Sequence, residues 1–367
     1  YVIPAPVVGF LPRFGVSRLR FESAVYLRND EIPCLMNFSG CDFRAGILDL
    51  TEYVITTQIE LQRCRIEGSA QLLVDGVCSL GSCVVNGNLV VGNIDARLFV
   101  RGCEFNGPAL GPAIAALSAQ SCTIQESVIR AFDLGMIVYG EDSVRVEGNV
   151  VSECSGTGIL ANGNHITIID NVVRDCRTGV TAQTYTALAV TQNRVSGSRA
   201  FGIYVVNADV VCSNVVWGCG LDGIHVGGGP RSVCHNTSCL NGGSGIEAEF
   251  GFSSSDEYLR VIGNIGYGNG DVGMEWLTPN ATIVACNDWF GNAMGAVRGR
   301  AESPEDFGVN PRFCDAAVGD FRLDSASPLA DAPGCGQIGA LGVGCGVTAT
   351  LVQRFPAIRV SDGVRVF

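Results

Sequence analysis

The chain has 367 residues, 47% apolar and only 16% charged, so it can bury a large core, and intrinsic disorder is excluded. All 24 basic residues are arginine, which rules out a lysine Schiff base, a lysine general base and a P-loop. A net charge of -12 without a basic run argues against nucleic acid or anionic membrane as a partner, and no apolar stretch reaches the ~18 residues that span a bilayer.

The chain opens at Tyr1 with neither a methionine nor a signal peptide, and is expected to be a mature product. Residues 1–36 follow no repeat. Arg18 to Arg28 alternates as a strand would, and the segment is expected to act as an N-terminal cap on the open edge of the first repeat.

From 37 to 300 the sequence repeats. Asn recurs at Asn149, Asn171, Asn193, Asn214, Asn236, Asn264 and Asn287, in steps of 22, 22, 21, 22, 28 and 23 residues. A glycine then precedes each new apolar strand: Gly158, Gly179, Gly202, Gly223, Gly245 and Gly273. Upstream, the Asn slot is held by Ser127, Cys103, Cys83, Cys64 and Cys41. That makes twelve coils, and at ~4.8 Å per stacked strand a column of roughly 55 Å.

Three residues before the Asn stand Val146, Ile168, Val190, Val211, Val233, Val261 and Val284, an unbroken β-branched column that must face inward. The position before it (Arg145, Thr167, Ala189, Val210, Ser232, Arg260, Ile283) is mixed and faces outward. Short strands turned this often predict an all-β fold, a single right-handed parallel β-helix solenoid of about 12 coils. Asn at a recurring turn predicts an internal ladder in which each amide bonds the coils above and below.

After about Gly299 the repeats give way to a closing segment, 301–346. Past Gly346, residues 347–367 contain Asp362-Gly363 between two alternating runs, which predicts a β-hairpin. A lone hairpin is marginal in water, and Tyr1 to Phe10 is apolar and Pro-rich. Both ends are therefore expected to find a partner. Copies of the same chain meeting through residues 1–20 and 347–367 would give a filament or sheath, and a further domain after the hairpin is the other option.

The repeats, together with Asn310-Pro311-Arg312-Phe313, Gly319-Asp320-Phe321-Arg322-Leu323, Ser327-Pro328, Asp331-Ala332 and Ile338-Gly339-Ala340, resemble the secreted parallel β-helix proteins of bacteria. That superfamily also holds pectate lyases and polygalacturonases, and the resemblance covers residues 37 to 346. It implies an extracellular or cell-surface location, and it implies that any catalysis lies on the strand after each Gly. Polysaccharide-cleaving members use clustered Asp with His and Arg-x-Lys, or Lys or Arg near calcium-binding Asp. No lysine exists here, and no outward Arg is read in the column.

Seventeen cysteines point to an oxidising compartment, and no CxxC pair suggests zinc. The odd count leaves at least one thiol unpaired. Cys41, Cys64, Cys83 and Cys103, and in a second slot five residues past the Asn, Cys154, Cys176 and Cys219, are read as small apolar residues stacked inside the column. Neighbouring coils lie within disulfide range, which makes Cys212 and Cys234 the best-placed pair; another bridge is expected among Cys314, Cys335 and Cys345. The glycosylation patterns at Asn37 and Asn280 are slight signals, and that at Asn236 falls in the inward ladder. Gly227-Gly228-Gly229 opens no helix and is read as a turn.

On the strand after the Gly, one outward column runs Ile137, Leu160, Thr181, Tyr204, His225, Glu247, Glu275, and a second runs Tyr139, Asn162, Gln183, Val206, Gly227, Glu249, Leu277. Polar residues gather late, bordered by an insertion, Phe250 to Tyr258. Glu247, Glu249, Glu275, His225 and Tyr204 are the catalytic candidates; Gln183, Tyr204, His225, Glu247 and Glu275 are the substrate-binding candidates. Two carboxylates one strand apart repel by ~3 kcal/mol at an effective dielectric of 20. Divergent rotamers, a raised pKa or a cation must relieve Glu247 and Glu275. Calcium is the one cofactor this pair suggests; otherwise none is expected. Taken alone, the column reads as a solvated acidic face. The sequence thus reads first as an extracellular structural or surface-associated rod that is not an enzyme. The alternative is a glycan-binding module or a carbohydrate-active enzyme (a polysaccharide lyase or glycoside hydrolase) working on an extracellular polysaccharide at Tyr204–Glu275.

Overall fold

The computed structural model describes residues 13–22, 25–26, 35–50, 58–72, 76–92, 95–228, 231–250, 259–277, 282–346, 358–359 and 365–366. Each coil carries up to three strands, which run together in the middle coils, as in Glu104–Gln125 and Val128–Glu147. In the coil of Asn214, Val210–Cys212 precedes the turn, Val215–Trp217 follows it, and Ile224–Gly228 comes after Gly223. Each pairs in parallel with its counterpart one coil on: Val211 with Val233, Val216 with Ser238, Ile224 with Ile246. This is the expected parallel solenoid. Arg13–Ser17 lies parallel to Leu35–Ser39, and Arg20 pairs with Asp42, so Leu19 takes the slot of Cys41 one coil earlier. The column therefore begins a coil before the twelve counted from the repeat.

The inward column is as read. Val146, Ile168, Val190, Val211, Val233 and Val261 are fully buried, and Val284 packs against them at the last coil. The glycine column has a steric cause. A Cβ on Gly179 would lie 2.5 Å from the carbonyl oxygen of Gly202, and one on Gly202 would lie 2.6 Å from that of Gly223. Only a hydrogen atom fits where successive coils approach this closely.

The Asn ladder forms. The backbone N–H and Nδ2 of Asn171 both donate to Oδ1 of Asn193 at 3.0 Å, while Nδ2 also donates to Val146 O at 2.9 Å. Asn193 does the same to Asn214, Asn214 to Asn236, Asn236 to Asn264 and Asn264 to Asn287. Asp306, an acceptor only, ends the series by taking both bonds from Asn287. Upstream the acceptors shrink: Ser127 Oγ accepts from Cys103 N at 3.2 Å, and Cys103 Sγ from Cys83 N at 3.4 Å. The second slot is a thiol stack only in part. Beyond Cys219 it becomes a second amide ladder, Asn241 to Asn269 to Asn292, with Nδ2–Oδ1 distances of 3.0 and 2.9 Å.

Cys41, Cys64, Cys83, Cys103, Cys154, Cys176 and Cys219 are free and buried, as expected of stacked small residues. Cys212 bridges Cys234, and Cys314 bridges Cys345. The latter is the bridge expected among Cys314, Cys335 and Cys345; Cys335 pairs outside that trio with Cys286, in the last ladder turn, because the closing segment folds back on the column. It covers one flank. Phe321 packs against Trp217, Ile338 and Leu323 against Ile265, and Gly339 N–H donates to Gly263 O at 2.7 Å. The position after the ladder Asn accordingly changes from exposed Arg194 to buried Val215, Thr237 and Ile265. Ile358–Arg359 and Arg365–Val366 pair antiparallel, the hairpin that Asp362-Gly363 predicts. Residues 1–12, the insertion beyond Phe250 and residues 347–357 lie outside the described residues, as does the pattern at Asn280.

Candidate functional site

The strand that follows each glycine exposes every second residue, and parallel register sets these residues in line. Thr181 pairs with Tyr204, Tyr204 with His225, His225 with Glu247 and Glu247 with Glu275, all as read. The next partner in the line is Arg298, which corrects the reading that no arginine falls in this column. It escaped notice because Ala296, not a glycine, stands one coil on from Gly273, so the slot that marks the other strands is lost here. Gln183 pairs with Val206, which pairs with Gly227 and then Glu249, so one coil stands between Gln183 and His225 and two between Gln183 and Glu249. The structure does not bring it in.

A third column was missed. The residue just before the glycine is a repeated slot as well, and in adjacent coils it holds half-buried Phe201 and Asp222 and buried Ser244. The same repeat that reveals Gly202, Gly223 and Gly245 marks this slot, so the signal was present. Asp222 closes on His225 and Glu247: one nitrogen and two carboxylate oxygens lie within 4.8 Å of one another.

His225 is on the outward column yet only 6% exposed. Its ring stacks on that of Tyr204 at 4.6 Å and 9°, with Phe201 at 5.6 Å. Nδ1 stands 2.8 Å from Glu247 Oε1, but out of line for a hydrogen bond, and Nε2 stands 3.9 Å from Glu249 Oε2. Burial pushes its pKa down, so the imidazole is neutral at pH 7. Burial likewise raises Glu247 to about 7, helped by the charges of Asp222 and Glu275, and raises Asp222. A carboxylate oxygen of Asp222 lies within 4.8 Å of one of Glu247, close enough for its charge to favour protonation of Glu247.

Glu275 takes a different partner. Arg298 donates to it at 3.2 Å and to Asp271 at 2.7 Å, while the Ser244 hydroxyl donates to its other oxygen at 3.1 Å. The repulsion between Glu247 and Glu275 is thus relieved by a guanidinium on one and burial-favoured protonation of the other. Calcium between those two is not needed to explain the pair. The donor set that converges is Asp222, His225 and Glu247, which can share a proton or hold a cation.

The protein-family model described as a right handed beta helix region matches residues 53–210 and 112–289, together most of the column. No curated protein matches the chain. Among solved structures it is similar to two variants of the periplasmic alginate epimerase AlgG, at 10% and 14% identity and TM-scores of 0.54 each. The first covers 72% of this chain and 77% of its own, the second 76% of each. The likeness is one of fold.

Proposed function

The chain belongs to the right handed β-helix family, whose parallel sheets align one outward side chain per coil, and from that premise we propose a carbohydrate-active protein that takes a glycan along the face from Tyr204 to Arg298. One observation carries the reading: an aromatic edge of Phe201, Tyr204 and His225 abuts a row of Asp222, Glu247, Glu249 and Glu275 with Arg298. A sugar has the same two characters, C–H faces that pack on rings and hydroxyls that donate to carboxylates. Carboxylates outnumber the guanidinium, which suits neutral sugar hydroxyls better than a polyanion. A polysaccharide enzyme among the similar folds supports the class of ligand. Three disulfides support an exported setting, periplasmic or extracellular.

The test is calorimetry of the full chain against neutral and acidic oligosaccharides, with product analysis for turnover. Binding to at least one glycan is expected, weakened about tenfold or more by Tyr204→Ala and by Glu275→Gln at an unchanged unfolding midpoint. No binding to any of them at millimolar concentration overturns the reading.

A second reading, a rod that assembles through residues 1–20 and 347–367, is favoured by the C-terminal hairpin, which pairs only with itself among the described residues. Sedimentation of the full chain at high concentration decides it: growing oligomers support assembly, a monomer refutes it.

A further inference from the structure

We infer that Asp222, His225 and Glu247 bind a divalent first-row transition-metal ion, zinc above all, as a three-ligand site with an open position. The inference uses the same face as the proposed glycan site but rests on its own side chains.

The imidazole is the first reason. His225 is more than nine-tenths buried, and neither ring nitrogen has a hydrogen-bond partner. Buried polar groups in folded proteins generally find a partner, and leaving one unpaired costs ~1–3 kcal/mol. A cation on one nitrogen removes that cost.

Geometry is the second reason. Nδ1 and Glu247 Oε1 are 2.8 Å apart, yet Nδ1 makes no hydrogen bond. Two ligands of one ion stand in this relation: with bonds of ~2.0–2.1 Å they are ~3 Å apart along an edge of the coordination polyhedron, and both point at its centre. Asp222 completes the triangle from the preceding turn, every donor lying within 4.8 Å of the others.

The surroundings hold these ligands in place. The Ser244 N–H donates to Asp222 Oδ1 at 2.7 Å, which fixes that carboxylate and leaves Oδ2 for the ion. Tyr204 and Phe201 set the plane of the imidazole. Glu249 Oε2, 3.9 Å from Nε2, is the nearby carboxylate that would move in to accept a hydrogen bond from Nε2–H once Nδ1 ligates, as outer-shell carboxylates of metal-bound histidines commonly do. Arg298 does not compete, since it is engaged by Asp271 and Glu275.

Charge and donor type choose the ion. Two carboxylates neutralise a dication, and an imidazole nitrogen favours zinc over calcium or magnesium, which take oxygen ligands. Three protein ligands leave a coordination position for water or a sugar hydroxyl.

The experiment uses the full chain, freed of metal with a chelator, and titrates zinc and calcium separately by calorimetry without any glycan. One equivalent of zinc is expected to bind in the micromolar range or tighter, with calcium about 100-fold weaker or worse. His225→Ala and Glu247→Gln should each weaken zinc about tenfold or more, whereas His165→Ala, a histidine elsewhere on the column, leaves it unchanged. Circular dichroism establishes that each variant is folded; if His225→Ala is not, Glu247→Gln and Asp222→Asn decide. No zinc uptake, uptake indifferent to these substitutions, or calcium bound more tightly than zinc overturns the site. Zinc binding without glycan binding overturns the glycan reading alone.

Discussion

Replacing Asn171 with leucine tests the ladder at its most regular point. Asn171 Oδ1 accepts both the backbone N–H and the Nδ2 of Asn149 at 3.0 Å. Leucine leaves the Asn149 N–H without an acceptor inside a fully buried turn, whereas Asn149 Nδ2 keeps Ile124 O at 2.9 Å. Asn193 Oδ1 keeps the Asn171 backbone N–H. One donor is therefore fully stranded and one half so. At ~1–3 kcal/mol per stranded group the loss is about 2–4 kcal/mol. Asn171→Ser should cost about half as much, because Ser127 already shows a hydroxyl accepting the turn N–H in this slot. Urea unfolding ranks the variants, and hydrogen exchange locates the damage: the Asn149 amide should lose protection in the leucine variant while coils several turns away keep theirs, since each coil contacts only its neighbours. Equal losses for leucine and serine, or an Asn149 amide as protected as before, would refute the argument.

Two further outcomes follow from buried groups away from the proposed site. Asp288 is fully buried, its Oδ1 accepting Val309 N–H at 2.8 Å and its Oδ2 unpartnered, and burial raises its pKa to about 7. A folded pKa above the unfolded value contributes stability that is complete below the unfolded value of 3.8 and lost as pH rises through about 7. The urea midpoint should thus fall between pH 5 and pH 8, and Asp288→Asn should remove on the order of 2–4 kcal/mol of that fall. A drop with pH that Asp288→Asn leaves unchanged refutes this. The bridge from Cys286 to Cys335 closes a stretch of 49 residues, so Cys335→Ser should cost ~3–4 kcal/mol and free the closing segment for limited proteolysis while the column stays intact. Unaltered proteolysis would show that Ile265, Phe321 and Leu323 hold the segment unaided.

The column was legible because its causes repeat. Val190 must be apolar for the same reason as Val211 and Val233, and seven such positions in register make the inward direction plain. Asn171 and Asn193 were readable as a ladder because one residue type met one geometric need in every coil. Asn241, Asn269 and Asn292 do the same work, but they share their slot with cysteines, so the substitution hid the ladder. The site was legible by halves. Tyr204, His225, Glu247 and Glu275 fell out of the period of two along each strand. Asp222 did not, since it stands in the turn before the strand, where no alternation marks direction. Nor could the sequence show that an outward histidine is buried: that follows from the Tyr204 ring and Glu247 closing over it from the neighbouring coils. Cys286 was overlooked because the partner of Cys335 depends on where the closing segment docks, which no local pattern states.

The position of the cluster within the column is itself informative. Asp222 and His225 belong to the coil of Asn214, and Glu247 belongs to the coil of Asn236. These are the two coils that the bridge from Cys212 to Cys234 ties together. The closing segment grips the same pair from another face, through Phe321 on Trp217 and through the Ala340 N–H, which donates to Thr237 Oγ1 at 2.9 Å. A solenoid is held coil to coil by modest neighbour contacts and flexes along its axis, which would vary the distance between ligands drawn from different coils. A site that needs its donors fixed to a fraction of an ångström requires those coils to be locked. Neither brace is needed to bury the hydrophobic column, because the upstream coils of Cys64 and Cys83 stack without any such bridge among the described residues. The bracing runs on through Gly263, Ile265 and Cys286 into the two coils that follow, so the proposed site lies within the braced stretch of the column and not among the coils held by packing alone.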